Sequence, residues 1–146
     1  MKTINLFLAD INVAGNTSGV DRHISELTGS LRNYPFINVY RINFRHDTSL
    51  LFCKETIKDG YTEFTIPMPQ SPNDIISEEY WTDRYNANVY HITKHLFEKK
   101  NNIIFHLHTL NLIDFALLVK KNNPCCKIIT HLHCIPWKGF FNSNIN

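Results

Sequence analysis

Short apolar runs of period two alternate along this 146-residue chain with longer stretches of helical period, and that alternation admits few folds. Ile4, Leu6 and Leu8 interleave with Phe7 and Ala9, the near-continuous apolar character of a strand covered on both faces. A helix is predicted next. Ser18 can cap it, Asp21 stands three residues on as a capping-box-like partner, and Val20, Ile24, Leu27 and Leu31 share one face. Asn33-Tyr34-Pro35 ends that helix, and Asn38 to Phe44 alternates as a second strand. Two β-rich runs, Leu51 to Lys58 and Tyr61 to Pro67, flank Asp59-Gly60, a strong hairpin signal, and predict an antiparallel excursion. Three prolines then break the chain before a long helix from Ser71 to about Lys100, with Ile76, Tyr80, Tyr85, Val89, Ile92 and Leu96 toward the core. A strand from Asn102, a helix from Leu112 to Lys121 and a strand from Lys127 complete a β-α-β-(hairpin)-α-β-α-β order. The expectation is one α/β domain over residues 1–146, a doubly wound and mainly parallel sheet with an antiparallel β-hairpin insertion.

Composition narrows the class. The four cysteines, Cys53, Cys125, Cys126 and Cys134, lack the spacing of a disulfide framework and read as reduced thiols. No run approaches the roughly 18 apolar residues of a membrane span, and Met1 to Asn5 opens straight into a strand rather than a signal peptide. A cytoplasmic protein is expected, with membrane contact limited to peripheral attraction toward an anionic inner surface. The net charge of +2 is too mild, and the Lys and Arg residues too scattered, for a nucleic-acid partner. No cofactor is implied.

The chemistry-bearing residues gather at predicted strand ends. His106-Leu107-His108 closes one apolar run and His131-Leu132-His133 another, and residues two apart on a strand share a face. His106 and His131 sit deeper in their strands, where a satisfied core role is the ordinary one, while His108 and His133 stand at the tips. In open α/β sheets ligands bind beyond the carboxyl ends of the strands. The first strand leads into Gly15-Asn16-Thr17-Ser18-Gly19 and a helix, an arrangement that aims backbone N–H groups at an anion. Candidate ligand contacts are therefore Gly15, Ser18, Gly19, His108 and Thr109. Thr109 is equally suited to capping the next helix, and Arg22 and His23 are expected on a solvated helix face.

Three segments carry a family resemblance: Thr17 to Leu27 after the first strand, Ile104 to Thr109, and Ile128 to Pro136. In their order and βα setting they resemble the N-terminal half of GT-B glycosyltransferases, in particular the family 4 retaining enzymes that build bacterial surface polysaccharides. The resemblance implies a Rossmann-like three-layer α/β/α sandwich on the acceptor side of a two-domain enzyme. It also implies a nucleotide-sugar donor held mostly by a C-terminal domain absent from this chain, a carbohydrate or lipid-linked acceptor, and no sugar transfer by the chain alone. Exposed cleft surface favours self-association. His133 matches the histidine that relatives place beside the transferred sugar, a catalytic role through electrostatics and positioning rather than nucleophilic attack. Ser18 stands where many relatives carry the first of two adjacent glycines. Trp137 and Lys138 follow as acceptor-loop residues, where an indole can stack on a sugar ring and an ammonium can meet an anionic group. Glu55 and Glu63 have the spacing of the family's donor-site glutamates, yet they straddle the Asp59-Gly60 turn and match by chance.

Two other classes share these residues. The two His-x-His pairs could offer four nitrogens to zinc, as in a metal-dependent hydrolase, although no carboxylate follows either strand end closely. A non-catalytic flavodoxin-like binding module is the other, with Asp10 a loose match to a phosphoacceptor position.

Overall fold

The computed structural model describes residues 2–13, 19–46, 52–68 and 78–131, with the side chains of 12, 13, 46 and 78–82 set aside. Its elements, in chain order, are β1 (Ile4–Val13), α1 (Gly19–Leu31), β2 (Ile37–His46), β3 (Lys54–Lys58), β4 (Tyr61–Pro67), α2 (Glu78–Thr93), β5 (Ile103–Leu107), α3 (Ile113–Asn122) and β6 (Lys127–Thr130). Single 3-10 turns, Lys94–Leu96 and Leu110–Leu112, follow α2 and precede α3.

The strands form one sheet in the order β3-β4-β2-β1-β5-β6, parallel throughout except for β3 against β4. From β1 the chain moves one way, to β2, and from β5 it moves the other way, to β6. The topological switch point therefore lies between β1 and β5. The predicted hairpin exists, but β4 pairs in parallel with β2 and so extends the main sheet instead of leaving it. Its turn has positive φ at Gly60.

Alternation along the strands sorts side chains into two layers. On one face Phe7, Ala9, Ile42, Phe44, Phe64, Ile66, Phe105 and Leu107 meet α2 and α3 through Val89, Phe115 and Val119, with Phe97, just after the Lys94–Leu96 turn, among them. Phe7, Phe97, Phe105 and Phe115 interlock there, with ring centroids of neighbouring pairs 4.9–6.5 Å apart. On the other face Leu6, Leu8 and Val39 meet Ile24, with Val20, Leu27 and Leu31 packed alongside, so the predicted stripe of α1 is the one that is buried. Helices on both faces make the Rossmann-like α/β/α sandwich.

Three expectations change. β1 runs to Val13 rather than stopping at Ala9, because β2 continues beside it to His46. The described helix in the third segment is Glu78–Thr93, and Ser71 and Ile76 lie outside the described residues. Ile92 is 53% exposed, and Thr93 is buried in its place, its hydroxyl donating to the Val89 carbonyl at 2.7 Å. Val89, Thr93 and Leu96 are spaced by four and three, so they define the stripe that Ile92 only flanks.

Candidate functional site

On the α1 face the strands are apolar over their first halves and polar over their second. Leu6 and Leu8 give way to Asp10, Val39 to Arg41 and Asn43, Tyr61 to Glu63, and Ile104 to His106 and His108. The first turns of α1 lie over this polar end. Asp21 and Glu63 both pair with the Arg41 guanidinium, Glu63 at 3.7 Å, and the Lys58 ammonium donates to the other Glu63 oxygen at 2.9 Å. Thus Asp21 engages a strand residue of β2, whereas its predicted capping partner Ser18 lies outside the described residues. Glu55 and Glu63 sit in adjacent register positions of the hairpin, Glu55 opposite Phe64 and Glu63 opposite Thr56, and so point to opposite faces.

The imidazoles converge at the β1–β5 switch point. His106 and His108 share a face as the spacing predicts, with ring centroids 4.4 Å apart. The expected depth is reversed, however. His108 is only 4% exposed and His106 is half-buried, because β1 outlasts β5 and its Asp10 flanks the position of His108. The His108 N–H donates to the Ala9 carbonyl at 3.0 Å and the His131 N–H to the Leu107 carbonyl at 2.8 Å, carrying the parallel ladder one residue further on each side. His23 is a second correction. Instead of standing on a solvated face, it packs its ring 5.0 Å from His131 and 5.7 Å from His108. The helix wheel carried the signal, since residue 23 is three from Val20 and four from Leu27 on the buried stripe.

Asp10 is 4% exposed and Asn43, its register partner, 9%. Among the described residues Asp10 Oδ2 and Asn43 Oδ1 accept no hydrogen bond. Burial pushes the Asp10 carboxyl above its ordinary value, against a backbone hydrogen bond at Ile11 and the Arg41 charge, which pull it down. A carboxyl raised in this way favours the fold in its protonated form, a contribution present below the ordinary carboxylate range and lost as pH rises through the folded-state value. Such burial is at odds with a phosphoacceptor open to a phosphodonor.

Of the predicted ligand contacts, Gly19, His108 and Thr109 are described, and they lie at this edge. Gly19 opens α1, and a Cβ built there meets nothing within 4 Å. Thr109 is extended and accepts from the Asn111 N–H at 3.4 Å, so it caps the turn leading into α3. Gly15, Ser18, His133, Trp137 and Lys138 lie outside the described residues. Of the two His-x-His pairs considered for zinc, His133 lies outside the described residues, so the four-nitrogen arrangement is not tested. Among the described residues the group of close nitrogens is His23, His108 and His131, all within 4.8 Å of one another, and His106 is not part of it. A cleft of about 710 Å³ lies at the opposite, amino edge of the sheet beside Lys2, Tyr40, Lys100 and Cys125. It is broad and rimmed by lysines and asparagines, so it reads as a solvated recess. The carboxyl edge carries the convergent chemistry. Cys53, Cys125 and Cys126 are free thiols, and no described helix is long and apolar enough to cross a membrane.

No family model and no curated protein matches the sequence. The doubly wound sheet and the layers around it make a Rossmann-like α/β domain. One similar solved structure is described as trehalose-6-phosphate from E. coli bound with UDP-2-fluoro glucose, with a TM-score of 0.59 and 16% identity over 88% of this chain and 33% of that one. A second, the OtsA apo structure, has the same TM-score and coverage at 12% identity. The chain thus spans about a third of the length of each. At these identities the similarity is one of fold, and it does not single out family 4.

Proposed function

We propose that this chain is the N-terminal, acceptor-side domain of a GT-B glycosyltransferase, resembling family 4, that moves a hexosyl group from a nucleotide-sugar donor to a glycan or lipid-linked acceptor. One observation carries the reading: the start of α1, His108 and His131 meet at the carboxyl ends of β1, β5 and β6, at the switch point where open α/β sheets bind ligands. The fold shared with a structure bound to UDP-2-fluoro glucose supports the same class of donor.

Each group has a physical task in this reading. The free N–H groups at the start of α1 meet phosphate oxygens, favoured by the helix dipole. The buried acceptors Asp10 Oδ2 and Asn43 Oδ1 suit donation from sugar hydroxyls, which a hydroxyl-rich ligand supplies at no cost in charge. His108 and Thr109 border the acceptor, and Trp137 and Lys138 extend its binding loop. His133 lies against the transferred sugar, where positive charge develops as the bond to the leaving phosphate breaks, and acts by electrostatics and positioning. The donor is held mainly by a second domain, so the chain alone binds weakly and transfers nothing. Its membrane contact, if the acceptor is lipid-linked, is peripheral and on the cytoplasmic side.

Amide chemical-shift mapping with UDP-glucose and a panel of oligosaccharides tests this. Shifts are expected at Gly19 to His23, at His108 and Thr109, and at His131. Shifts confined to the lysine-rimmed recess at the amino edge, or none with any probe, overturn the proposal.

A further inference from the structure

We propose that His23, His108 and His131 form a binding site for one divalent transition metal ion of the zinc class. This goes beyond the transferase reading and does not depend on it.

Three separate elements deliver the ligands, so the site exists only in the folded chain. His108 and His131 leave the last rungs of adjacent parallel strands, with Cα positions fixed by the Ala9 and Leu107 carbonyls. His23 stands on α1 next to Ile24, which is fully buried and anchors that turn of the helix. One ring nitrogen from each residue lies within 4.8 Å of the other two. Tetrahedral zinc holds nitrogens at about 2.0–2.1 Å, which puts ligand atoms about 3.4 Å from one another. The remaining contraction of roughly 1.4 Å is within reach of small χ changes in three imidazoles.

The three ring planes are inclined to one another, His108 at 41° to His131. The His23 ring is at 89° to that of His131 and at 60° to that of His108. Rings crossed in this way can aim in-plane lone pairs at a common point, whereas stacked rings send theirs along parallel planes. His106 lies parallel to His131 at 5° with centroids 6.0 Å apart and is not one of the group of close nitrogens. An all-imidazole set suits zinc, copper, nickel and cobalt rather than magnesium or calcium, which demand oxygen. Three protein ligands leave one position open to water or an exchangeable anion.

The full chain, freed of metal by chelator dialysis, is titrated with Zn(II) in competition with a chromogenic chelator, and separately with Co(II), read by its visible absorption. One zinc per chain is expected, together with the intense visible bands of four-coordinate cobalt. His23→Ala and His131→Ala should each weaken zinc at least tenfold and abolish those bands. A His91→Ala/His95→Ala variant, which removes two exposed histidines on and just after α2, should bind as the unaltered chain does. Circular dichroism checks that each variant is folded, and His23→Gln, which keeps bulk but not basicity, replaces His23→Ala if that variant unfolds. Substoichiometric zinc on the folded chain, undiminished binding in the His23 and His131 variants, or loss of binding in the His91/His95 variant would overturn the proposal.

Discussion

Replacing Arg41 with methionine tests how much the polar end of the sheet depends on one guanidinium. The Arg41 side chain is 8% exposed and holds Asp21 of α1 and Glu63 of β4, whose side chains are 23% and 12% exposed. Methionine keeps most of the volume but leaves two carboxylates facing a buried apolar stem. Breaking a buried pair in this way costs about 3–5 kcal/mol, mainly because uncompensated charge stays out of water. The lower end applies here, about 3 kcal/mol, because Lys58 still holds one Glu63 oxygen and Asp21 is partly open to water. A domain of this length has roughly 7–20 kcal/mol in all, so the variant remains folded with its urea midpoint lowered by about 1–3 M. The double variant Arg41→Met/Glu63→Gln removes one of the two stranded charges and should recover part of the loss. A single-variant loss under about 1 kcal/mol, or a double variant no more stable than Arg41→Met, refutes the assignment of a stabilising hub to Arg41.

Gly60→Ala should lower the thermal midpoint by roughly 3–8 °C, measured calorimetrically, because φ is +80° and the new Cβ would stand 2.8 Å from Arg32 Cβ, whose side chain is tethered to Asp59 at 2.7 Å. An unchanged midpoint would sink that account of the turn. Thiol labelling of the native chain followed by peptide mass mapping should find Cys125 modified and Cys126 protected until denaturant is added, since Cys126 is buried and burial raises its thiol pKa. Equal labelling of the two neighbours would contradict the packing at the start of β6.

The strands and α1 were legible because their apolar residues repeat at the period of the structure they form: Leu6 and Leu8 in β1, Val20, Ile24 and Leu27 in α1. The glycine-led helix and the histidines were readable as components of one edge, since sequence order alone puts them at the carboxyl ends of strands. What could not be read was adjacency. Asp10 reads from the sequence only as a loose phosphoacceptor match, and it is the parallel pairing of β1 with β5, across nearly a hundred residues, that brings it beside His108. His23 was assigned to solvent because local context shows a polar run, whereas its neighbours are rings from β5 and β6. Glu63 matched a motif by spacing, and the pleat that turns Glu55 the other way is a property of the hairpin, not of the interval.

β1 and β2 continue side by side for four residues after the last β1–β5 pair, Ala9 with Leu107. At about 3.3 Å per residue that is a bulwark roughly 13 Å tall standing beside a low terrace formed by the ends of β5 and β6. In the function proposed above, a ligand held on the terrace would be shielded on its β2 flank. Sequence changes that retune selectivity should accumulate in the chain downstream of β6, while the far side of the bulwark, behind β2 and β4, can drift without altering what is bound.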